Sequence, residues 1–364
     1  MYKKFFMGIA AMAALTLVSC SSEDLNSLSD NSSKNEAISF DGYLGRSAVA
    51  VNGSRGSVLD LNALQGENGG FGVFGNYKEA NGQEFGANLF DNQKVTYSDT
   101  KWTYSPLKFW PTQGHIDFLA YAPYDSKYDN KVSKDNQKLE FIVNSDIAAQ
   151  KDLLWANAVN QTKDNISTTG KKVKFHFYHA LSRLGYSVKL YGNGDYSSAT
   201  FTVNKITLAG SSDGTSKNAF YKKGTIDLSK SNKGQNLWDT SSSVNNDDKQ
   251  NFDLVSSNTS LGQDGIKSDK EYLFVIPQDF SQEGNKLYVY VKYTINYTDG
   301  TQPVTNTVYK ELTTNFKQGK AYMLNLIIGL PIEFDVDVEG VEGWGTDENI
   351  NIGSNDNNPW EKDK

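Results

Sequence analysis

The sequence predicts an all-β protein built from antiparallel sandwiches, on three observations. The 364 residues include 20 Tyr and 19 Phe, side chains that pack well on pleated, half-buried surfaces. Thirty-one glycines stand against seven prolines, and Asn, Asp and Ser cluster between apolar runs, which is the chemistry of many turns. Residues 287–295 alternate strictly: Leu287, Val289, Val291, Tyr293 and Ile295 share one face, and Tyr288, Tyr290, Lys292 and Thr294 the other. Asp146 to Ala158 is the one stretch with a helical possibility, so strands follow strands without the helices a parallel sheet needs.

The chain opens with Lys3 and Lys4, an apolar run from Phe5 to Val18, and the small-residue junction Ser19-Cys20. The run is too short for a bilayer span, which takes about 20 residues, and reads as a signal peptide over 1–19. Leu17-Val18-Ser19-Cys20 resembles a bacterial lipobox, and Cys20 is the only cysteine. The resemblance implies that Cys20 carries acyl chains, palmitate among them, and becomes the first residue after cleavage. Several chains hold a protein on a membrane far better than one, at about 0.8 kcal/mol per buried methylene. Ser21-Ser22-Glu23-Asp24 resembles the acidic tags that direct some lipoproteins to the outer face of the outer membrane. Residues 20–36 are polar with almost no apolar content and read as a disordered tether.

Structure is expected to begin at Ala37-Ile38-Ser39-Phe40. Strand-like stretches follow at 70–74, 101–104, 115–121, 139–143, 173–178, 184–190, 201–208, 272–276, 287–297 and 304–309. Segments 209–237 and 239–268 are rich in Ser, Asn, Gly, Asp and Lys and read as long loops or hairpin excursions. Residues 347–364 form a polar C-terminal tail.

A net charge of -7 and a pI near 5.2 argue against a nucleic-acid partner, which requires clustered Lys and Arg. Lys171-Lys172-Val173-Lys174 is the densest basic group and reads as the solvated face of a strand. Arginine occurs only at Arg46, Arg55 and Arg183. Gly70 to Gly75 matches G-x-G-x-x-G, but the motif lies within a strand-like run and opens no helix, so a glycine-bearing strand is the better reading. Of the three histidines, His176 and His179 project to opposite faces of one strand and cannot chelate together, leaving no metal site. Asp335, Asp337, Glu339 and Gly340 begin like a calcium loop, yet Thr346 stands where the bidentate glutamate belongs. No nucleophile elbow or catalytic triad is visible, and carboxylate separations cannot be read from sequence. The chain is expected to be non-enzymatic and without cofactor.

Several blocks together resemble the fimbrillin family, the subunits of bacterial type V pili. They are Lys108-Phe109-Trp110-Pro111, Asp117 to Tyr124 (DFLAYAPY), Asp152-Leu153-Leu154-Trp155-Ala156, Val173 to Leu184 (VKFHFYHALSRL), Phe316 to Leu326 (FKQGKAYMLNL), Ile332-Glu333-Phe334 and Gly343-Trp344. The resemblance implies two transthyretin-like β-sandwich domains in tandem, here 37–182 and 183–346. It also implies a surface-exposed outer-membrane lipoprotein acting in adhesion as stalk, tip or anchor of a fimbrium. In that scheme an arginine-directed protease removes a first strand and a neighbouring pilin subunit, of the same or another kind, donates a replacement. Ala37 to Leu44 is the candidate removable strand, with the cut between Arg46 and Ser47 or, as second choice, at Arg55. Ile332, Phe334, Val336 and Val338 alternate with acidic residues as a donor strand would, although the closing strand of their own sandwich is the preferred reading. The alternative function is a monomeric surface lipoprotein binding a host glycan or protein, for which Trp102, Tyr104 and Trp110 would have to be an exposed platform rather than core. His179 and Arg183 read as structural, near the domain junction.

Overall fold

The computed structural model describes residues 36–44, 59–67, 69–79, 88–191, 196–230, 237–241, 248–268, 272–329 and 334–341. Among the described residues the first half carries eight strands: β1 (Phe40–Leu44), β2 (Phe71–Lys78), β3 (Phe90–Ser98), β4 (Lys101–Thr103), β5 (His115–Ala122), β6 (Lys138–Ile142), β7 (Leu154–Gln161) and β8 (Val173–His179). All but β6 join one sheet in the order β1-β8-β7-β5-β2-β3-β4. The sheet curls until β1 lies against β4, so one face closes on itself around Phe71, Val73, Phe90, Val95, Trp102, Phe118, Phe175 and Phe177. The glycines of 70–75 are part of this packing, on β2 and the residue before it, and the chain runs on from them as strand rather than helix. A Cβ on Gly72 would sit 2.4 Å from the Tyr121 ring, a ring whose hydroxyl donates to Asn92 Oδ1 at 2.6 Å. The one α-helix among the described residues, α1 (Leu61–Gln65), is capped by Asp60, which accepts from the Ala63 amide, and it drops Leu64 into the same core.

The second half opens with β9 (Ser182–Leu190) and β10 (Ala199–Ala209). Short strands follow: β11 (Phe220–Tyr221), β12 (Lys223–Asp227), β13 (Trp238–Asp239), β14 (Lys249–Gln250), β15 (Phe252–Val255), β16 (Thr259–Leu261), β17 (Ile266–Lys267), β18 (Leu273–Val275) and β19 (Gln278–Asp279). The chain closes with β20 (Tyr288–Tyr297), β21 (Val304–Glu311), β22 (Asn315–Phe316), β23 (Ala321–Ile328) and β24 (Phe334–Val341). One sheet runs β15-β10-β20-β21 and another β17-β9-β23-β24. Their buried residues, among them Val203, Leu208, Val291 and Tyr293 from one and Val188, Leu324, Leu326 and Val338 from the other, belong to one core. That core continues onto Phe74, Leu119, Tyr121 and Trp155 of the first sheet's other face.

The all-β expectation holds, with several revisions of detail. Two neighbours pair in parallel, β1 with β8 and β9 with β23. Each pair is far apart in sequence, so no hairpin constrains its direction. Asp146 to Ala158 is not a helix. It holds a single 3-10 turn at Ile147–Ala149, capped by Asp146, and then enters β7, because pairing with β5 and burial of Leu154 and Trp155 override local propensity. The polar stretches 209–237 and 239–268, read as long loops or hairpin excursions, carry the short strands β11, β12 and β14 to β17. Strand β6 pairs antiparallel with β12, so ladder bonds cross from residues before 182 to residues after it.

Candidate functional site: the first strand and its groove

Strand β1 is the feature with functional content. Phe40, Gly42 and Leu44 point inward and Tyr43 outward, the alternation a pleated strand imposes. Ile38, just upstream, is 1% exposed and Phe40 2%. The Phe40 ring packs 5.4–5.6 Å from those of Phe90, Tyr104, Phe118 and Phe175. Gly42 marks the narrowest point, since a Cβ there would touch Phe71, Trp102 and Phe177 at 3.4 Å.

Both edges of the segment are held. On one side it runs parallel to β8, with Phe40 opposite Val173 and Leu44 opposite Phe177, and the Val173 amide donates to Ser39 O at 2.9 Å. On the other side the Ile38 amide donates to Lys108 O at 2.8 Å and the Trp110 amide to Glu36 O at 3.0 Å. The Tyr104 hydroxyl donates to Ile38 O at 2.7 Å. Glu36 pairs with Lys163 at 3.4 Å and Lys171 at 3.6 Å. Glu36, assigned to the tether, is therefore already docked.

The segment is linked to the rest of the chain only through residues 45–58, and the Leu59 amide is fixed by Asp152 Oδ2 at 3.2 Å. Arg46, Ser47 and Arg55 fall within 45–58, outside the described residues, as does Cys20. By sequence position, a cut at either arginine severs the covalent link to β1 while leaving α1 and everything after it intact.

The outward face of β8 presents exposed Lys174 and His176, with exposed Lys172 just before the strand. Tyr43 rests on His176 with ring centres 5.1 Å apart, and the Tyr178 ring lies tilted against it at 4.5 Å. Burial by these rings holds the His176 imidazole below its ordinary pKa. His179 faces inward, as the odd spacing requires, and its Nδ1 lies 2.8 Å from Asp152 Oδ2 in a buried pair. Arg183 stacks over Tyr272 at 4.3 Å. Burial lowers its pKa, and the nearby Tyr272 and Asp152 oppose that shift. This polar cluster is enclosed and joins the two halves.

At the far end, β24 pairs antiparallel with β23, Val336 opposite Leu326 and Val338 opposite Leu324, and both valines are buried. Lys310 Nζ donates to Val336 O at 2.8 Å. Ile332 lies outside the described residues. Asp335 and Asp337 sit on this extended strand, not in a calcium loop, and among the described residues no three His, Cys, Asp or Glu side chains gather. Trp102 and Trp110 are buried and the Tyr104 hydroxyl is engaged by Ile38 O, so these aromatics pack in or against the core rather than forming an exposed platform. A cavity of about 440 Å³ holds Asp146 and Asp253, but one carboxylate caps Ala148 and the other accepts from Thr207. Sequence reasoning missed the clamp made by Lys108, Trp110 and Tyr104. It forms across long range without periodicity, and its only local signal was the Lys108–Pro111 block.

The architecture defines an all-β protein whose leading sheet is completed by a strand contributed by its own N-terminal segment. The family model described as Fimbrillin-like matches residues 62–344, and the chain belongs to that family. It is 26% identical to the fimbrium subunit Fim1C of Phocaeicola vulgatus, over 94% of this chain and 97% of the relative. It also resembles the crystal structure of a fimbrial protein from Bacteroides vulgatus ATCC 8482, with a TM-score of 0.59 and 21% identity over 85% of this chain and 100% of that one.

Proposed function

We propose that this chain is a non-enzymatic subunit of a cell-surface fimbrium, assembled with other pilin subunits by strand donation into the groove that β1 occupies. In this reading the chain is exported as a lipoprotein anchored in the outer membrane through Cys20. It is then cut after Arg46, or after Arg55, and loses β1. The vacated trough between β8 and the 108–110 segment offers unpaired backbone groups and apolar pockets, and an added strand satisfies both. The observation that carries the proposal is the plug geometry: Ile38, Phe40 and Leu44 fill the sheet's core from a segment attached through one connection that holds both N-terminal arginines. Two tandem sandwiches dividing near 182/183 remain part of the proposal.

The test is to express residues 21–364 and 47–364 and examine both by electron microscopy. Fibres from the shorter chain support donation; strictly monomeric protein from both overturns it. A second reading, a tethered monomer that binds a glycan or protein at the cell surface, draws on the burial of Val336 and Val338 in their own sandwich. It predicts that an acylated Cys20 and β1 are both retained on cells.

A further inference from the structure

The cavity of about 440 Å³ lies where three parts of the chain meet. One wall is the turn at 145–148, a second is β15 at the margin of its sheet, and the third is Tyr186 of β9 with Leu273 of β18 in the other sheet. Buried Gln150 fixes the turn to the third wall, its Nε2 donating to Asn144 O at 2.9 Å and its Oε1 accepting from the Phe274 amide at 2.7 Å. The Tyr186 amide in turn donates to Ser268 Oγ at 2.6 Å. The walls are thus held before any ligand arrives, which removes an ordering cost from binding. The lining is graded. Leu273 is buried at the base, Leu254 and Tyr186 are half-buried beside it, and Asp146, Asp253 and Ser256 are exposed at the mouth. An apolar base under a few placed polar groups, in a volume within the ~300–1,000 Å³ of small-molecule sites, is the composition of a ligand pocket. The contact to the Ala148 amide uses Oδ1 of Asp146, and Thr207 and Lys205 both use Oδ1 of Asp253. Each carboxylate is therefore oriented through one oxygen and keeps Oδ2 to accept from a ligand. Asn251 adds an amide that donates and accepts, and Ser256 a hydroxyl that does the same.

We propose that this cavity binds a neutral sugar ring, one hexose of an oligosaccharide. It shares no residue with the groove of β1, so it binds whether or not that strand is replaced. Hydroxyls of the ring donate to Oδ2 of Asp146 and of Asp253, ring and hydroxyl oxygens accept from the Asn251 amide and the Ser256 hydroxyl, and the C–H face rests on Tyr186 and Leu254. The charge selects a neutral guest. Two carboxylates repel acidic sugars and phosphates, while Lys205 at 3.4 Å already offsets Asp253, so an amine meets little unpaired charge and gains little from an exposed ion pair. Each such contact is weak alone, and a fibre that repeats the site along its length lets many act together.

The test uses residues 21–364 and saturation-transfer NMR with the methyl glycosides of glucose, mannose, galactose, fucose and N-acetylglucosamine, beside N-acetylneuraminic acid and spermidine. At least one neutral glycoside is expected to bind with a Kd of about 0.1–10 mM and to lose affinity at least about 10-fold when Asp146→Asn and Asp253→Asn are combined. Both asparagines keep the oxygen that accepts from Ala148 and Thr207, so the melting temperature should stay within a few degrees of the parent. Asn251→Ala is the second variant, should the first fold poorly, and weakens binding about 3- to 10-fold. Three results overturn the site: no binding by any neutral glycoside at about 20 mM, stronger binding of N-acetylneuraminic acid or spermidine than of every neutral glycoside, or unchanged affinity in the variants. None of them touches strand donation, since fibre formation is read separately by microscopy.

Discussion

Phe40→Ala is the substitution that most directly probes how β1 is held. Phe40 is 2% exposed and touches four other aromatic rings. Burying a ring of this kind removes at least ~150 Å² from water, worth about 4 kcal/mol at ~25 cal/mol per Å², and core Phe→Ala changes cost about 3–5 kcal/mol. Ile38 and Leu44, the other large plugs, supply about 1.5–3 kcal/mol each, so the substitution removes roughly half of the apolar hold. At about 1.4 kcal/mol per decade, docking of β1 weakens some 10²- to 10³-fold. The change is local, so the assay is hydrogen exchange of the β8 amides from Val173 to Phe177 beside global thermal unfolding. Protection on β8 should fall by about that factor while the melting temperature of the C-terminal sheets stays within a few degrees. Tyr43→Ala, at a position 54% exposed, is the control and should cost under ~1 kcal/mol. Equal effects from the two substitutions would refute the plug argument.

Docking of β1 should also depend on pH through His176. Burial lowers its pKa and Tyr43 of the docked strand contributes to that burial, so the undocked state binds more protons and docking weakens as pH falls through the ordinary imidazole value of ~6.5. The groups facing the ring are Tyr43 and Tyr178, with Lys174 on the same face of its own strand. Exchange from β8 should be faster at pH 5.5 than at pH 7.5, after correction for intrinsic rates, and His176→Gln should remove the difference. His179→Ala takes the imidazole from the buried Asp152 carboxylate, which keeps the Leu59 and Leu153 amides, and should cost about 1–3 kcal/mol, seen by calorimetry as a fall of a few degrees. Gly72→Ala drives a methyl into Tyr121 and its bond to Asn92; a loss of about 1–3 kcal/mol is expected in urea unfolding, and an unchanged midpoint would contradict the packing.

Much of the fold was legible where one face of a strand is buried. The 287–297 alternation appears as β20, with Val289, Val291, Tyr293 and Ile295 all buried. The opposite projection of His176 and His179 followed from period two alone. Strand β3 went unseen because its register shifts against β2 and Asn92 takes a positive φ, which breaks the alternation in a polar sequence. Strand β7 was obscured by Asp152 and the capped turn before it. The groove was half legible: the segment 37–44 and the arginines after it stand in the sequence. The clamp from Tyr104, Lys108 and Trp110 and the parallel course along β8 depend on contacts between distant segments.

The central claim is that β1 fills a groove which a neighbouring subunit's strand takes over. Its most direct test is the N-terminal residue of the chain recovered from fibres on cells, read by intact mass and N-terminal sequencing. The account predicts chains beginning at Ser47, or at Gly56 if Arg55 is the site, with β1 gone. Fibre-resident chains that all begin at an acylated Cys20 and still carry residues 37–44 would contradict it.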